Sequence, residues 1–118
     1  MVSVTIAVLL SLADIARARN AQLIISNGIP TDEVGLDNQA RQPYSIWHPD
    51  IAREETYREL VRQCPAIRYR VGRASAAAGY VELYQELGLL PDVSIAEEAR
   101  ESDTAGGYEI FKTTTAAS

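Results

Sequence analysis

Nucleophilic or metal chemistry in this chain of 118 residues would have to begin from His48-Pro49-Asp50 and Cys64. A cysteine nucleophile needs a base within reach to form its thiolate, and His48 is the only histidine. A helix length of sequence separates the two residues, so a buried structural thiol is the expected state of Cys64. Zinc asks for about four nitrogen or sulfur ligands, more than this pair supplies. Glu54-Glu55, Glu97-Glu98 and Glu101 are acid and base candidates, but their helical spacing reads as a solvated face. Gly106-Gly107 precedes no lysine at the spacing that a phosphate loop requires. The expectation is no catalytic residue, no cofactor and no metal. What remains are candidate contact residues: Trp47, Arg68, Arg70, Arg73, Tyr80 and Tyr84.

Charge narrows the partner class. A formal charge of −5 opposes nonspecific attachment to phosphate backbones, which needs a positive field, so no nucleic acid is expected. Every basic residue except Lys112 is arginine, whose planar fork suits pairing with carboxylates. Arg58, Arg62, Arg68, Arg70 and Arg73 make one segment positive, and Asp92, Glu97, Glu98, Glu101 and Asp103 make a later one negative. The two segments either pair with each other or leave the arginines facing solvent, where they would hold an acidic peptide. A single cysteine permits no internal disulfide and suits a reducing compartment, cytoplasmic or nuclear. Val4 to Ala13 is apolar but about half the length of a membrane span. It reads as the buried helix of the domain, with Ile6, Leu9, Leu10, Ala13 and Ala16 at helical spacing. The alternative is a secretory signal cleaved near residue 18.

The elements that must position these residues are helical, and one domain over 1–118 is the expected organisation. From Ala66 to Val93 the pattern is two helices folded back on each other. Ile67, Val71, Ala74 and Ala78 form one apolar stripe, Gly79-Tyr80 breaks it, and Val81, Leu83, Tyr84 and Leu87 form a second that stops at Gly88. Upstream, Asn20 is expected to open a short helix that buries Leu23, Ile24 and Ile25 and closes at Asn27-Gly28. Residues 29–48 read as a long loop, tied down by Tyr44, Ile46 and Trp47. Pro49-Asp50 predicts the start of a helix running to Gln63, with Tyr57, Leu60, Val61 and Cys64 inward and Glu54 and Arg58 paired outside. Ser94 to Glu97 has capping-box spacing and predicts a helix that carries Ile95 and Ala99 inward. Ser102 to Gly107 reads as a break, and Tyr108 to Thr114 as a last weak helix opposed by its threonines, with a frayed end from about residue 112.

Two stretches sixty residues apart are alike: ARARNAQLIISNGIPTD from Ala16 and AAAGYVELYQELGLLPD from Ala76. Small residues lead in, a break follows at Arg19-Asn20 or Gly79-Tyr80, and a glycine and an aspartate close each at Gly28 and Asp32 or Gly88 and Asp92. With Ala76, Gly79, Tyr80, Glu82, Leu83 and Gly88, the chain resembles the ankyrin repeat over about half its length. Arg70-Val71-Gly72-Arg73 stands where that family opens with threonine-proline-leucine-histidine. The resemblance implies an all-α fold of antiparallel helix pairs stacked as a short, irregular helical repeat. It implies a non-enzymatic role in protein–protein interaction, with a protein partner, no membrane, and either a homo-oligomer or a longer array covering the apolar first helix. A small secreted helical protein is the alternative.

Overall fold

The structure, a computed structural model, describes residues 15–30 and 42–116. All of the regular structure among them is helical. Helix α1 occupies residues 15–25. It is followed by α2 (Glu54–Gln63), a 3-10 turn (Pro65–Ile67), α3 (Arg68–Ala78), α4 (Val81–Leu87), α5 (Val93–Glu101) and α6 (Ala105–Ala116). The apolar run 4–13 and the middle of the long connection, 31–41, lie outside the described residues, and so does any signal segment before residue 15.

Helix α3 is the centre of the arrangement because its side chains are small enough to be buried on two sides. It touches α2, α4, α5 and α6. Ile67, Val71 and Ala74 enter one core with Ile24, Ile46, Ala52, Tyr57, Leu60, Cys64, Leu83 and Leu87. Ala76 enters a second core with Tyr84, Ile95, Ala99 and Ile110. Gly72 is buried under the turn that joins α4 to α5, where a Cβ would collide with the Leu89 side chain and lie 3.5 Å from Ile95 Cδ1. The fully buried Ser75 hydroxyl donates to the Val71 carbonyl at 2.8 Å, so no polar atom of that side chain is left dry. Larger residues at these positions would push α4 and α5 off the helix.

The glycine-set bends form as expected. Gly79 and Gly88 both end helices in the left-handed conformation, at φ +78° and +59°. Gly79 presents its N–H to the Ser75 carbonyl, and the Tyr80 N–H reaches the same oxygen at 2.9 Å. At the end of α1 the left-handed residue is Asn27, φ +69°, with its N–H on Ile24 O at 2.9 Å and the Gly28 N–H on Leu23 O at 2.7 Å. These two bonds form a Schellman closure, in which asparagine takes the position more often held by glycine.

Several boundaries differ from the sequence expectation, each for a local reason. Asn20 does not open a helix: α1 runs through it, and Asn20 is buried. Of the three residues expected inward, Ile24 is fully buried, Ile25 half-buried and Leu23 exposed, since one helix face cannot bury three consecutive side chains. Helix α2 begins at Glu54, not Pro49, and the stretch before it carries Ala52 into the core. Arg53 caps α2 by backbone conformation, and the missing side-chain acceptor comes from elsewhere: Asn27 Oδ1 accepts the Arg53 N–H at 2.7 Å and the Thr56 hydroxyl at 3.0 Å. The cap of α5 is Asp92 and not Ser94, with the Asp92 carboxylate accepting from Ile95 N–H at 3.1 Å. Helix α6 starts at Ala105, before the glycines, and runs through all three threonines to Ala116. Each threonine hydroxyl donates to a carbonyl four residues back, at 3.0, 2.8 and 2.9 Å, which lets it sit inside a helix.

The loop before α2 is fastened by Pro43, Ile46 and half-buried Trp47, whereas Tyr44 is exposed with Arg17 over its ring. The principal polar anchor is Tyr57. Its hydroxyl donates to Ile46 O at 2.6 Å and accepts from Ala52 N–H at 3.0 Å, holding the loop on α2. Full burial of the ring pushes the hydroxyl pKa up from 10.0 to about 12. The unfolded chain ionises this group first, so below pH 10 its contribution is constant. As pH rises from about 10 towards 12 the unfolded state binds fewer protons and stability falls. Urea midpoints measured across that interval are expected to decline, with a shallower decline in Tyr57→Phe.

Candidate interaction surface

The outward side of α3 collects most of the residues that sequence alone marked as contacts. Arg73 lies over the Trp47 ring, with the guanidinium carbon 4.7 Å from the ring centre, and its terminal nitrogen pairs with Glu98 Oε1 at 2.8 Å. Its Nε is buried without a hydrogen-bond partner, shielded within this stack. One turn earlier, Arg70 donates to Gln42 Oε1 at 2.7 Å, so a buried amide ties the long connection to α3. Arg68 opens α3 and is exposed. Trp47, Arg70 and Arg73 thus lie together, with Arg68 at the amino-terminal end of the same helix.

Tyr80 and Tyr84 do different work. The half-buried Tyr80 hydroxyl donates to Ala52 O at 2.7 Å, and its ring is tilted against Tyr57 at 6.2 Å between centroids. Tyr84 is buried, with its hydroxyl 3.3 Å from Thr114 Oγ1, and so joins α4 to α6. Both are internal fasteners, amphipathic side chains whose polar tips find partners at the core boundary.

The opposed charges do meet, though only in part. Arg73 and Glu98 join α3 to α5, and Arg58 is bidentate on Glu86 at 2.7 and 3.1 Å, joining α2 to α4. The Arg58 bond holds the Glu86 carboxyl below its usual range. Glu86 lies on the exposed side of α4, where this pair ties it to α2. Glu59 is held to about pKa 2 by Arg62 and Gln63 on its own helix face, and Glu97 pairs with Arg100. All of these pairs are wholly or partly solvent-exposed and contribute little individually. Cys64 is buried and His48 exposed. Among the described residues no group of three His, Cys, Asp or Glu side chains could hold a metal ion.

Sequence reasoning missed the exposed apolar residues around the turn between α4 and α5. Leu90 and Val93 are 83% and 79% exposed, and Tyr69 is 41% exposed with its hydroxyl on Asp92 Oδ1 at 2.9 Å. Burial raises the Asp92 pKa, but the Tyr69 hydroxyl, the Ile95 and Ser94 N–H groups and the charge of Arg73 outweigh it and leave the carboxyl lowered. The available signal was Leu89-Leu90, two consecutive leucines of which one face can bury only the first. Among the described residues no helix is long and apolar enough to cross a membrane. No curated protein and no solved structure matches the chain. Residues 47–116, more than half of the chain and all of α2 to α6, match the family described as the YKP1 C-terminal domain, and the chain belongs to that family.

Proposed function

We propose that the chain is a non-enzymatic protein–protein interaction module, its helices paired in the antiparallel, ankyrin-like manner and working in the cytoplasm or nucleus. The observation behind this reading is the division of labour among its aromatic and apolar residues. Tyr57, Tyr80 and Tyr84 close the interior through hydroxyl contacts, while Tyr69, Leu90 and Val93 stand out at one turn. Aliphatic and aromatic side chains gathered in this way are the usual anchors of a protein contact. The Trp47–Arg73–Glu98 group beside them gives a rigid polar border.

A benzophenone amino acid placed at Arg68, Trp47 or exposed Glu109 of the full chain tests this in the cells that express it. Irradiation is expected to give adducts of discrete mass from the first two positions, suppressed by excess unlabelled chain, and none from Glu109. If no position gives an adduct that the unlabelled chain suppresses, the interaction reading fails.

A further inference from the structure

Asn27-Gly28 is the only asparagine–glycine pair in the chain, and the interaction reading gives it no part. A glycine after asparagine has no side chain to shield its nitrogen or restrict its backbone, so the Gly28 nitrogen can reach the Asn27 carboxamide whenever the two are free to turn. The fold itself demands the glycine. A Cβ at position 28 would collide with the Leu23 side chain and lie 3.1 Å from the Leu23 carbonyl oxygen. The exposed asparagine that closes α1 is therefore followed by the residue type that leaves its carboxamide most open to attack.

Both reacting groups are engaged in the folded chain. The Gly28 N–H donates to Leu23 O at 2.7 Å, so the nitrogen keeps its proton and is bound back onto α1. The carboxamide is held by α2 instead, with Oδ1 accepting the Arg53 N–H at 2.7 Å and the Thr56 hydroxyl at 3.0 Å. Those two donors would stabilise an oxyanion at Cγ, but they achieve nothing while the nucleophile is occupied. What keeps both arrangements in place is the seating of α1, through fully buried Ile24 in the core that it shares with Tyr57 and Leu60. Once α1 lifts from α2 its last turn has no tertiary support and frays, which frees the Gly28 nitrogen and the carboxamide together.

We propose that Asn27-Gly28 is a spontaneous modification site gated by the seating of α1, shut while that helix lies on α2 and converting to isoaspartate when it lifts. The Gly28 nitrogen gives its proton to solvent and attacks Asn27 Cγ. The N–Cγ bond forms, the Cγ–Nδ2 bond breaks, and Nδ2 takes a proton from solvent and leaves as ammonia. Water then opens the resulting cyclic imide at one of its two carbonyls. Opening at Cγ restores the main chain with an aspartate at 27, whereas opening at the Asn27 main-chain carbonyl routes the chain through Cγ as isoaspartate. The extra main-chain carbon before the Gly28 nitrogen carries its N–H away from Leu23 O, and the closure that aims position 27 at α2 is lost. Release of α1 then becomes permanent, with Ile24 outside the core.

Peptide mapping of the full chain, incubated in mildly alkaline buffer with and without guanidinium chloride, tests this. The readouts are amide-to-acid conversion at Asn27 by mass spectrometry and isoaspartate by enzymatic methyl transfer. The unfolded chain is expected to convert at least about tenfold faster than the folded one. Ile24→Ala loosens α1 without touching either reacting residue, and its conversion under folding conditions should rise about tenfold or more; Ile24→Val, which keeps more of the core, should give about threefold. Circular dichroism verifies that each variant is folded. In the isoaspartate form, isolated by chromatography, the α1 amides should exchange about tenfold or more faster than in the unmodified chain. Equal conversion in the folded and unfolded chain, or none in the unfolded chain, overturns the site. Conversion unchanged in both Ile24 variants overturns its gating by α1, and unchanged α1 exchange in the isoaspartate form overturns the permanent release. The interaction reading stands or falls separately.

Discussion

Gly106→Ala is expected to destabilise the domain by about 2 kcal/mol or more, although alanine is the better helix former by about 1 kcal/mol. A Cβ at Gly106 would lie 2.6 Å from the Gly79 carbonyl carbon and 2.8 Å from its Cα, and closer still to the oxygen. The obstacle is backbone on both sides, so no rotamer change relieves it. One of two rigid pieces must move: the amino-terminal turn of α6 or the elbow between α3 and α4. Overpacking of this kind costs about 1 to 3 kcal/mol and occasionally more, and here the upper end applies. Thermal unfolding should show a midpoint lowered by about 10 °C for a domain of this size. Gly88→Ala is the informative comparison, because a Cβ there meets nothing within 4 Å and only the φ of +59° is unfavourable. That variant should lose about 1 kcal/mol, and Gly88→Asn less. Equal losses at 88 and 106 would mean that backbone freedom, and not close approach, is what Gly106 provides.

Asn27→Ala is expected to cost about 2 kcal/mol, from two separable sources. The carboxamide oxygen accepts the Arg53 N–H and the Thr56 hydroxyl, and loss of such a cap costs about 1 kcal/mol. The backbone at φ +69° suits asparagine better than alanine by about 1 kcal/mol. Asn27→Gly keeps the conformation and loses only the cap, so it should recover about half of the loss in urea denaturation. Asn27 lies outside the matched stretch 47–116, yet it completes the first helix of that stretch, while Ile24 fills its core. Residues of α1 are therefore part of the folding unit that the family match outlines.

Periodicity made the central pair legible. Of the two expected stripes, Ile67, Val71 and Ala74 and then Leu83, Tyr84 and Leu87 are buried, Ala78 and Val81 beside the bend are half-buried, and Gly79 and Gly88 end their helices where glycine is cheapest. Local signals failed where a distant contact decides. Gly106-Gly107 reads as a break because glycine disfavours helices, but α6 needs both. Gly106 lets it approach the Gly79 backbone, and Gly107 lets it approach Ser102 and the Ala99 carbonyl. Pro49 looks like a helix start only while the acceptor for α2 is unknown, since Asn27 supplies it from 26 residues away. At the candidate surface, residue types singled out Trp47, Arg70 and Arg73, but that Trp47 stacks under Arg73 was not legible in the sequence. They said nothing of Leu90 and Val93, whose exposure depends on where α5 turns away from α3.

Everything in this account follows from α3 being buried on both sides, so amide hydrogen exchange along that helix tests it most directly. The Val71–Ala77 amides are predicted to be the slowest among residues 15–116, exchanging only with global unfolding. Exchange at these amides faster than along α2 or α5 would mean that α3 is peripheral, and would contradict the architecture on which the interaction surface rests.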